Sequence, residues 1–507
     1  MVDRPNVLFL LSDQHSFRHL GYRDDEHGEP VRTPTLDDLA AHGAAFDTAY
    51  CPMPLCTPSR HCILTGREVR NAGAWANGQM LMPGQTTLPE TFSDAGYETC
   101  LVGKMHLGGD RQFVGFDHRP YGDLLGLNGH QYEPVSPERR SGEGWCDEDS
   151  GVTEYPESQL QEQVVSRETM AWLREHEHEN PEQPWFLTAS FSRPHTPLTT
   201  PPRHFDRYFG DVPPPKVGTD TDAAAHPMTQ SMDPEEANEM AMRARAAYFG
   251  CVDYLDEILG DLLAMLDRAG FLENTIVVYT SDHGENCGEH GVWGKKSWHE
   301  GSARVPMIVQ TPAHRTGEAD AARIGTPVNI IDLFPTLCSL ADVSIPDGPD
   351  GADLSRTVRN GVEPDRGPVF CDNFLPWLTE GMHYRVVRDG RYKYVRSQDA
   401  PELFFDLEAD PFETTNLAGD PGGHTAALER LRTVVDETLD FAEMERQREN
   451  ELSELRSPSM GVPRGTAGNA YLLRDGRIVD ADAVVTKPDE QIRRPERVFV
   501  DWPGDDA

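Results

Sequence analysis

An α/β fold built on a mainly parallel sheet flanked by helices, followed by a smaller α+β unit, is what this 507-residue sequence predicts. Three observations carry that expectation. Short apolar runs recur at "NVLFLL", "GYETCLVGK", "PWFLTASF", "NTIVVYTSDHG" and "VPMIVQTP". Helical stretches such as "RARAAYFGCVDYLDEILGDLLAMLDRAG" separate them, and strands alternating with helices favour a parallel sheet. Near residue 380 the pattern changes to paired alternating runs, so the chain divides into 1–375, 376–456 and a tail at 457–507. A chain of this length suits a large enzyme domain with a smaller second one.

"NVLFLL" (6–11) is continuous and apolar, as a strand buried on both faces must be, and it ends at Ser12-Asp13. "TPTLDDLAAHG" has a threonine cap, apolar residues at helical spacing and a terminating Gly43. "CTPSRHCILTG" reads as a loop entering a short helix, with Pro58 in the first turn and Gly66 as the stop. "NTIVVYTSDHG" is a second buried strand ending at Asp282. The stretches 121–162 and 199–234, rich in Pro, Gly, Asp and Glu, read as surface insertions that shape a pocket rim. In "YRVVRDGRYKYV" two alternating runs meet at Asp389-Gly390, a hairpin signal. "ELFFDLEADP" adds a strand and "HTAALERLRTVVDETLDFAEMERQRENELSEL" a long helix. The tail holds one more Asp-Gly pair, Asp475-Gly476.

Ligands of open α/β sheets bind beyond the carboxyl ends of the strands. Asp13-Gln14 and Asp282-His283 both lie just past such ends, so they are expected to converge. Together they offer mostly oxygen donors, suited to Ca²⁺ first and to Mg²⁺ or Mn²⁺ as alternatives. Taken singly, each aspartate is as readily a turn former or helix cap.

Cys56 is placed at a helix N-terminus, where free N–H groups and the dipole favour an anion, and Arg60 follows one turn later. An anion-facing nucleophile is the functional reading, and a thiolate is favoured there too. Cys51 and Cys62 read as packing residues. A zinc site from the three lacks paired CxxC spacing, and nine scattered cysteines do not form a secreted disulfide framework.

Only six lysines occur: Lys104, Lys216, Lys295, Lys296, Lys393 and Lys487. Three of them lie in two motif loops, "GKMHLGG" with Lys104 and His106, and "GVWGKKSWHEGSARVP" with Lys295, Lys296 and His299. Arginine would serve solubility equally well, so a flexible point-charge donor is wanted there. Lys104 and His106 share a face if that segment is extended. His195 follows the strand "PWFLTASF" in a Pro-bounded loop.

These motifs resemble the formylglycine-dependent sulfatases. "CTPSRHCILTG" matches their Cys-x-Pro-Ser-Arg and Leu-Thr-Gly signature, and "NVLFLLSDQ", "GYETCLVGKMHLGG", "RPHTPL", "TIVVYTSDHGE", "GVWGKKSWHEGSARVP" and "ELFFDLEADPFETTNLA" follow in order across 6–417. The resemblance implies an alkaline-phosphatase-like fold and conversion of Cys56 to formylglycine. The aldehyde hydrate would attack sulfur, expel the alcohol and then eliminate sulfate. It further implies a divalent metal held by Asp13, Gln14, Asp282, His283 and the modified Cys56. Arg60 would hold the nucleophile region, and Asn77, Lys104, His195 and Lys295 would contact sulfate oxygens. His106 or His195 would act as acid or base, with Lys296 and His299 as weaker candidates.

Gln14 and His283 depart from the common Asp-Asp and Asp-Asn pairs and resemble phosphonate monoester hydrolases, so a phosphonate or phosphate ester hydrolase is the alternative reading. "GKMH" keeps the Lys-x-His pair of sulfatases and, with "SWHEGSARVP", is similar to choline sulfatases and other alkyl sulfatases. A metal- and anion-binding protein with unmodified Cys56 is the non-enzymatic alternative.

A net charge of −39 disfavours nucleic acid and anionic membranes as partners. "MVDRPNVLFLLSDQH" lacks a basic segment ahead of its apolar run and a cleavage site, so a cytoplasmic location is expected. The expected partners are a small sulfated substrate and, transiently, a formylglycine-generating enzyme; self-association is left open. The acidic excess resembles that of salt-adapted prokaryotic proteins. If it serves that purpose, stability in urea should rise with molar salt, and unchanged or falling stability would count against it.

Overall fold

The computed structural model describes residues 4–108 apart from 24 and 26, then 113–122, 150–229, 237–375 and 383–455, and the backbone of four short strands at 470–472, 478–480, 484–485 and 496–497. Among these residues an eight-stranded sheet forms the centre. In chain order its strands are β1 (Asn6–Asp13), β2 (Ala44–Phe46), β3 (Glu98–Gly103), β4 (His118–Tyr121), β5 (Trp185–Pro194), β6 (Thr275–Ser281), β7 (Met307–Gln310) and β8 (Ala322–Ile324). Across the sheet they run β8-β2-β7-β6-β1-β5-β3-β4.

The central strands β1, β5 and β6 are buried almost throughout, as continuous apolar runs require. Successive side chains of β1 point to opposite faces. Val7, Phe9 and Leu11 join one core with Ile63, Leu64 and Phe186, whereas Leu8 and Leu10 join another with Leu255, Ile258, Leu259 and Leu262. Each fully buried side chain of this kind contributes about 1.5–3 kcal/mol. Helices α1 (Pro34–Ala41), α2 (Cys56–Thr65), α3 (Gln161–Glu179) and α4 (Ala237–Arg268) supply the flanking layers.

The sheet is mainly parallel, with one reversal. β7 pairs antiparallel with β6 and β2, and the other pairings are parallel. A parallel return needs a crossover that packs on the sheet face. The 282–306 segment has no helix long enough for that: its α-helix covers only Glu300–Ala303. It loops over the strand ends and comes back reversed.

Local chemistry departs from the sequence reading at three places. The threonine cap of α1 is not made: Thr33 donates its hydroxyl to Asp37, and the N–H groups of Thr35 and Leu36 donate instead to the Asp256 carboxylate of α4, each at 2.9 Å. The hairpin near residue 390 pairs Asp389 with Tyr392, so the loop pair is Gly390-Arg391, with Gly390 at φ 54°. The expected long C-terminal helix is two helices, α5 (Thr425–Thr438) and α6 (Phe441–Leu455). Leu439 turns extended and inward, and Asp440 accepts the Glu443 N–H at 3.0 Å to start α6.

The smaller unit is an antiparallel sheet in the order β9 (Val369–Asn373), β10 (Tyr384–Asp389), β11 (Tyr392–Ser397) and β12 (Leu403–Asp406). Its first strand precedes residue 376. The two insertions meet where Gly151–Val152 pairs with Thr199–Thr200; 123–149 and 230–236 lie outside the described residues. Asp475-Gly476 also lies outside them, although the flanking strands Ala470–Leu472 and Ile478–Asp480 pair antiparallel. No helix among the described residues is long and apolar enough to cross a membrane.

A buried ion cluster fastens the small sheet to the large domain. Lys393 of β11 reaches Glu300 Oε1 at 2.8 Å and Glu413 Oε1 at 2.6 Å, while Tyr50 donates to Glu300 at 2.6 Å. Burial alone would raise the Glu300 carboxyl, but Lys393, Arg304 and Arg388 bring it below its ordinary value of 4.5. Lys393→Met leaves the buried Glu413 carboxylate without its cation and Glu300 with Arg304 and Arg388 alone, and should cost about 3–5 kcal/mol in urea unfolding at neutral pH. Because the Glu300 value is depressed in the fold, its contribution is present above about pH 4.5 and is lost as pH falls. Parent and variant should therefore converge in acid.

Candidate active site

The carboxyl ends of β1, β3, β5 and β6 deliver Asp13, Lys104, His195 and Asp282 to one edge of the sheet, and α2 points its N-terminus at the same place. Cys56 opens α2 and Gly66 ends it with φ 66°, accepting no Cβ there without a clash against Phe334. The side-chain ligand atoms of Asp13, Cys56, Asp282 and His283 all lie within 4.8 Å of one another and are buried. Cys56 Sγ is 3.2 Å from His283 Nε2 and 3.7 Å from Asp13 Oδ1.

Two carboxylates cannot approach each other in a buried site without cations. Arg60, one turn along α2 and fully buried, donates from Nε to Asp282 at 2.8 Å and from Nη2 to Asp13 at 3.0 Å. Its Nη1 donates to the Lys104 carbonyl at 2.8 Å and to Ser190 Oγ at 3.0 Å. Lys104 Nζ lies 2.6 Å from Asp13 Oδ2. Burial would raise Asp13, yet Lys104, Lys295 and Arg60 hold it well below the usual carboxylate range.

Lys295 Nζ stands 2.9 Å from Cys56 Sγ. Burial and the Asp13 carboxylate push the Cys56 thiol up, but Lys295, Lys104 and His283 outweigh them and bring it well below its ordinary value. The position therefore favours an anionic atom. Lys295 is held through its neighbour: Lys296, at φ 74°, donates its N–H to the Pro54 carbonyl and receives hydrogen bonds on its own carbonyl from Asn373 Nδ2 at 2.8 Å and Tyr384 OH at 3.0 Å. The small sheet thus fixes the lysine loop.

His195 is 3.9 Å from Asp13 Oδ1 through Nε2, and its Nδ1 faces the Thr196 carbonyl. Burial, with Lys295 and Lys104, lowers it to about 3, so the ring is neutral, with Nδ1 donating to the Thr196 carbonyl and Nε2 on the Asp13 side. Asn77 accepts the Thr57 N–H at 3.0 Å through Oδ1, which leaves its amide N–H groups for a ligand. His106 lies beyond the end of β3 at φ 55°, so the strand-like alternation with Lys104 does not apply; its carbonyl accepts from Thr57 Oγ1 at 2.7 Å. His299 packs on Trp298 and His290, with ring centres 3.8 and 4.7 Å away.

The donor set fits a hard divalent cation. His283 Nδ1 faces the Gly284 carbonyl at 3.0 Å, which directs Nε2 to the cluster. Gln14, 1 % exposed, keeps its side-chain Oε1 without a hydrogen-bond partner among the described residues. A buried carbonyl oxygen in that condition is costly unless something binds it, and amide oxygen, two carboxylates and one imidazole suit Ca²⁺, Mg²⁺ or Mn²⁺. Ser190, Tyr248 and Glu285 were not singled out in the sequence reading. Glu285 stands inside "TSDHGE", but its partner is 271 residues away.

A sequence model of the sulfatase family matches residues 5–343, and one for the C-terminal part of N-sulphoglucosamine sulphohydrolase matches 288–439. A choline-sulfatase of Rhizobium meliloti is 32% identical over 445 residues, covering 83% of this chain and 83% of its own length. An arylsulfatase of Clostridium perfringens is 29% identical, covering 87% of this chain and 95% of its own. The crystal structure of the phosphonate monoester hydrolase of Agrobacterium radiobacter superposes with a TM-score of 0.72 at 23% identity, over 94% of this chain and 99% of that one.

Proposed function

Because the chain belongs to the sulfatase family of sulfuric ester hydrolases, we propose that it hydrolyses a small sulfate monoester at a formylglycine made from Cys56, with a divalent cation beside it. Its fold is alkaline-phosphatase-like. The observation that carries the proposal is the buried Cys56 at the N-terminus of α2, faced by Lys295 at 2.9 Å and grouped with Asp13, Asp282 and His283. Cys56 Sγ marks where the oxygen of the modified side chain would lie.

Asp13, Gln14, Asp282 and His283 would hold the cation, Ca²⁺ by preference. When bound it supplies a Lewis acid that polarises a sulfate oxygen. The hydrated aldehyde supplies a hydroxyl nucleophile and, on its second hydroxyl, the means to release sulfate. An enzyme that oxidises Cys56 must act on the chain for this chemistry to exist, and the motif it reads, Cys56-x-Pro58-x-Arg60, is intact.

The remaining work falls to residues of the chain. Lys295 and Lys104 place ammonium groups where negative charge grows on the sulfate oxygens, inside a site from which water is largely excluded. Asn77 offers amide N–H groups to the same oxygens. Arg60 does not need to touch substrate: it holds Asp13 and Asp282 at fixed separation. His195, neutral because its pKa is lowered to about 3, takes a proton from a hydroxyl at the position of Cys56, and His106 is the proposed acid for the leaving oxygen.

Mass spectrometry of the peptide containing Cys56, from protein made in its native host, should show the aldehyde; an intact thiol would remove this mechanism. Lys295→Ala should lower kcat on aryl or alkyl sulfates by about 10²–10³-fold, as loss of one charge-stabilising donor does. Turnover of sulfate esters should exceed that of phosphonate monoesters under the same conditions, and the reverse order would favour the phosphorus-directed reading.

A further inference from the structure

Gln14 sits in a fixture that leaves its side chain one orientation. Its backbone is left-handed at φ 70°, a conformation that costs a non-glycine residue of the order of 1–3 kcal/mol and persists only where surroundings enforce it. The enforcement is visible: the Gln14 N–H donates to Asp282 Oδ1 at 3.1 Å, and its carbonyl accepts from Tyr248 OH at 2.7 Å. At the other end of the side chain, Nε2 donates to Glu285 Oε2 at 2.5 Å.

Glu285 is 2 % exposed and equally constrained. Its second oxygen, Oε1, accepts from Cys287 N at 2.9 Å and from Gly294 N at 2.5 Å, tying it to the loop that carries Lys295. An ionised carboxylate only accepts hydrogen bonds, whereas a primary amide has one donor end and one acceptor end. The amide nitrogen must therefore turn to Glu285, and Oε1 is the end left without a partner.

We infer that Glu285 is a positioning residue for the cation, orienting the Gln14 amide so that its oxygen, and not its nitrogen, is presented as a ligand. The inference rests on the metal reading under Proposed function. It also explains the Asp13-Gln14 pair in physical terms. A carboxyl at position 14 would meet the Glu285 carboxyl at hydrogen-bond distance, and one of the two would have to hold a proton; an amide instead donates to Glu285 and still offers an oxygen ligand. Glu285 couples the two halves of the site as well, since the same carboxylate holds Gly294, the residue before Lys295.

The test is calorimetric titration of the full-length, metal-stripped enzyme with Ca²⁺, repeated with Mg²⁺ and Mn²⁺, with circular dichroism to verify folding. Glu285→Ala should weaken cation binding by about 10–100-fold, the usual effect of removing a group that orients a metal ligand. Gln14→Glu alone should weaken it as well, because it sets two carboxylates against each other. Combining Gln14→Glu with Glu285→Gln restores a carboxylate–amide pair of reversed polarity, and its affinity should return to within about tenfold of the parent. A folded Glu285→Ala that binds Ca²⁺ as the parent does would overturn the positioning role, as would a reversed pair no better than Gln14→Glu alone. Should Glu285→Ala not fold, the comparison of Gln14→Glu with the reversed pair decides the matter. A parent that takes up none of the three cations would instead refute the metal reading, and the positioning role with it.

Discussion

Arg60 offsets part of the repulsion between Asp13 and Asp282, and the rest of the site is built around that shared guanidinium. Burial and the Asp13 charge still raise the Asp282 carboxyl to about 6. Two carboxylates fully removed from water would not remain ionised side by side, since desolvation and mutual repulsion both favour protonation. A planar guanidinium can donate to both at once, and its remaining nitrogen reaches the Lys104 carbonyl and Ser190. Lysine in that place has one compact charge and no fork. Because Arg60 lies one turn from Cys56 on α2, the same helix that presents Cys56 also stabilises the carboxylates it faces. The geometry of the helix turn thus sets the distance between Cys56 and the two carboxylates.

The second constraint is the loop between β6 and β7. It leaves the sheet at Asp282-His283, passes through Glu285 and Lys295, and returns as the one reversed strand. Its only regular elements are single turns at Glu289–Gly291 and Glu300–Ala303, too short to hold an ammonium group within hydrogen-bond distance of Cys56. It is held from outside: Glu285 grips Gly294 N, Pro54 accepts from Lys296 N, and Asn373 and Tyr384 of the small sheet hold the Lys296 carbonyl. Farther along, Glu300 meets Lys393 of β11. The small antiparallel sheet is therefore part of the site's framework and not only an appended unit. Five of the six lysines lie among described residues; Lys104 and Lys393 are in buried ion pairs, and Lys295 is in a part-buried hydrogen bond, with the site or its framework.

Much of the site was legible because strand-end positions and helix starts are local properties. Continuous apolar runs ended at Asp13 and Asp282, and the physics of parallel sheets brings such ends to one edge. Cys56 and Gly66 bounded α2 as the cap signals required. Where the reading went astray, a distant group had replaced a local one. Asp256 took over the capping of α1 from Thr33, and Leu439 found a buried place that interrupts the C-terminal helical pattern. The hairpin slid by one residue because Gly390, and not Asp389, occupies the turn position that needs positive φ.

The sequence by itself determined the alternation of strands and helices, the placement of Asp13, Asp282 and Cys56 at the ends of their elements, and the family resemblance carried by its ordered motifs. These depend on periodicity, capping and residue type within a few positions. Only the tertiary structure decided that β7 runs backwards, that Arg60 spans both carboxylates, that Asn373 and Tyr384 hold the Lys295 loop, and that Glu285 turns the Gln14 amide. Each of those is a contact between residues far apart in the chain, and its strength comes from burial, which no local pattern records: a hydrogen bond or ion pair gains its orienting force only once the fold has removed water from around it.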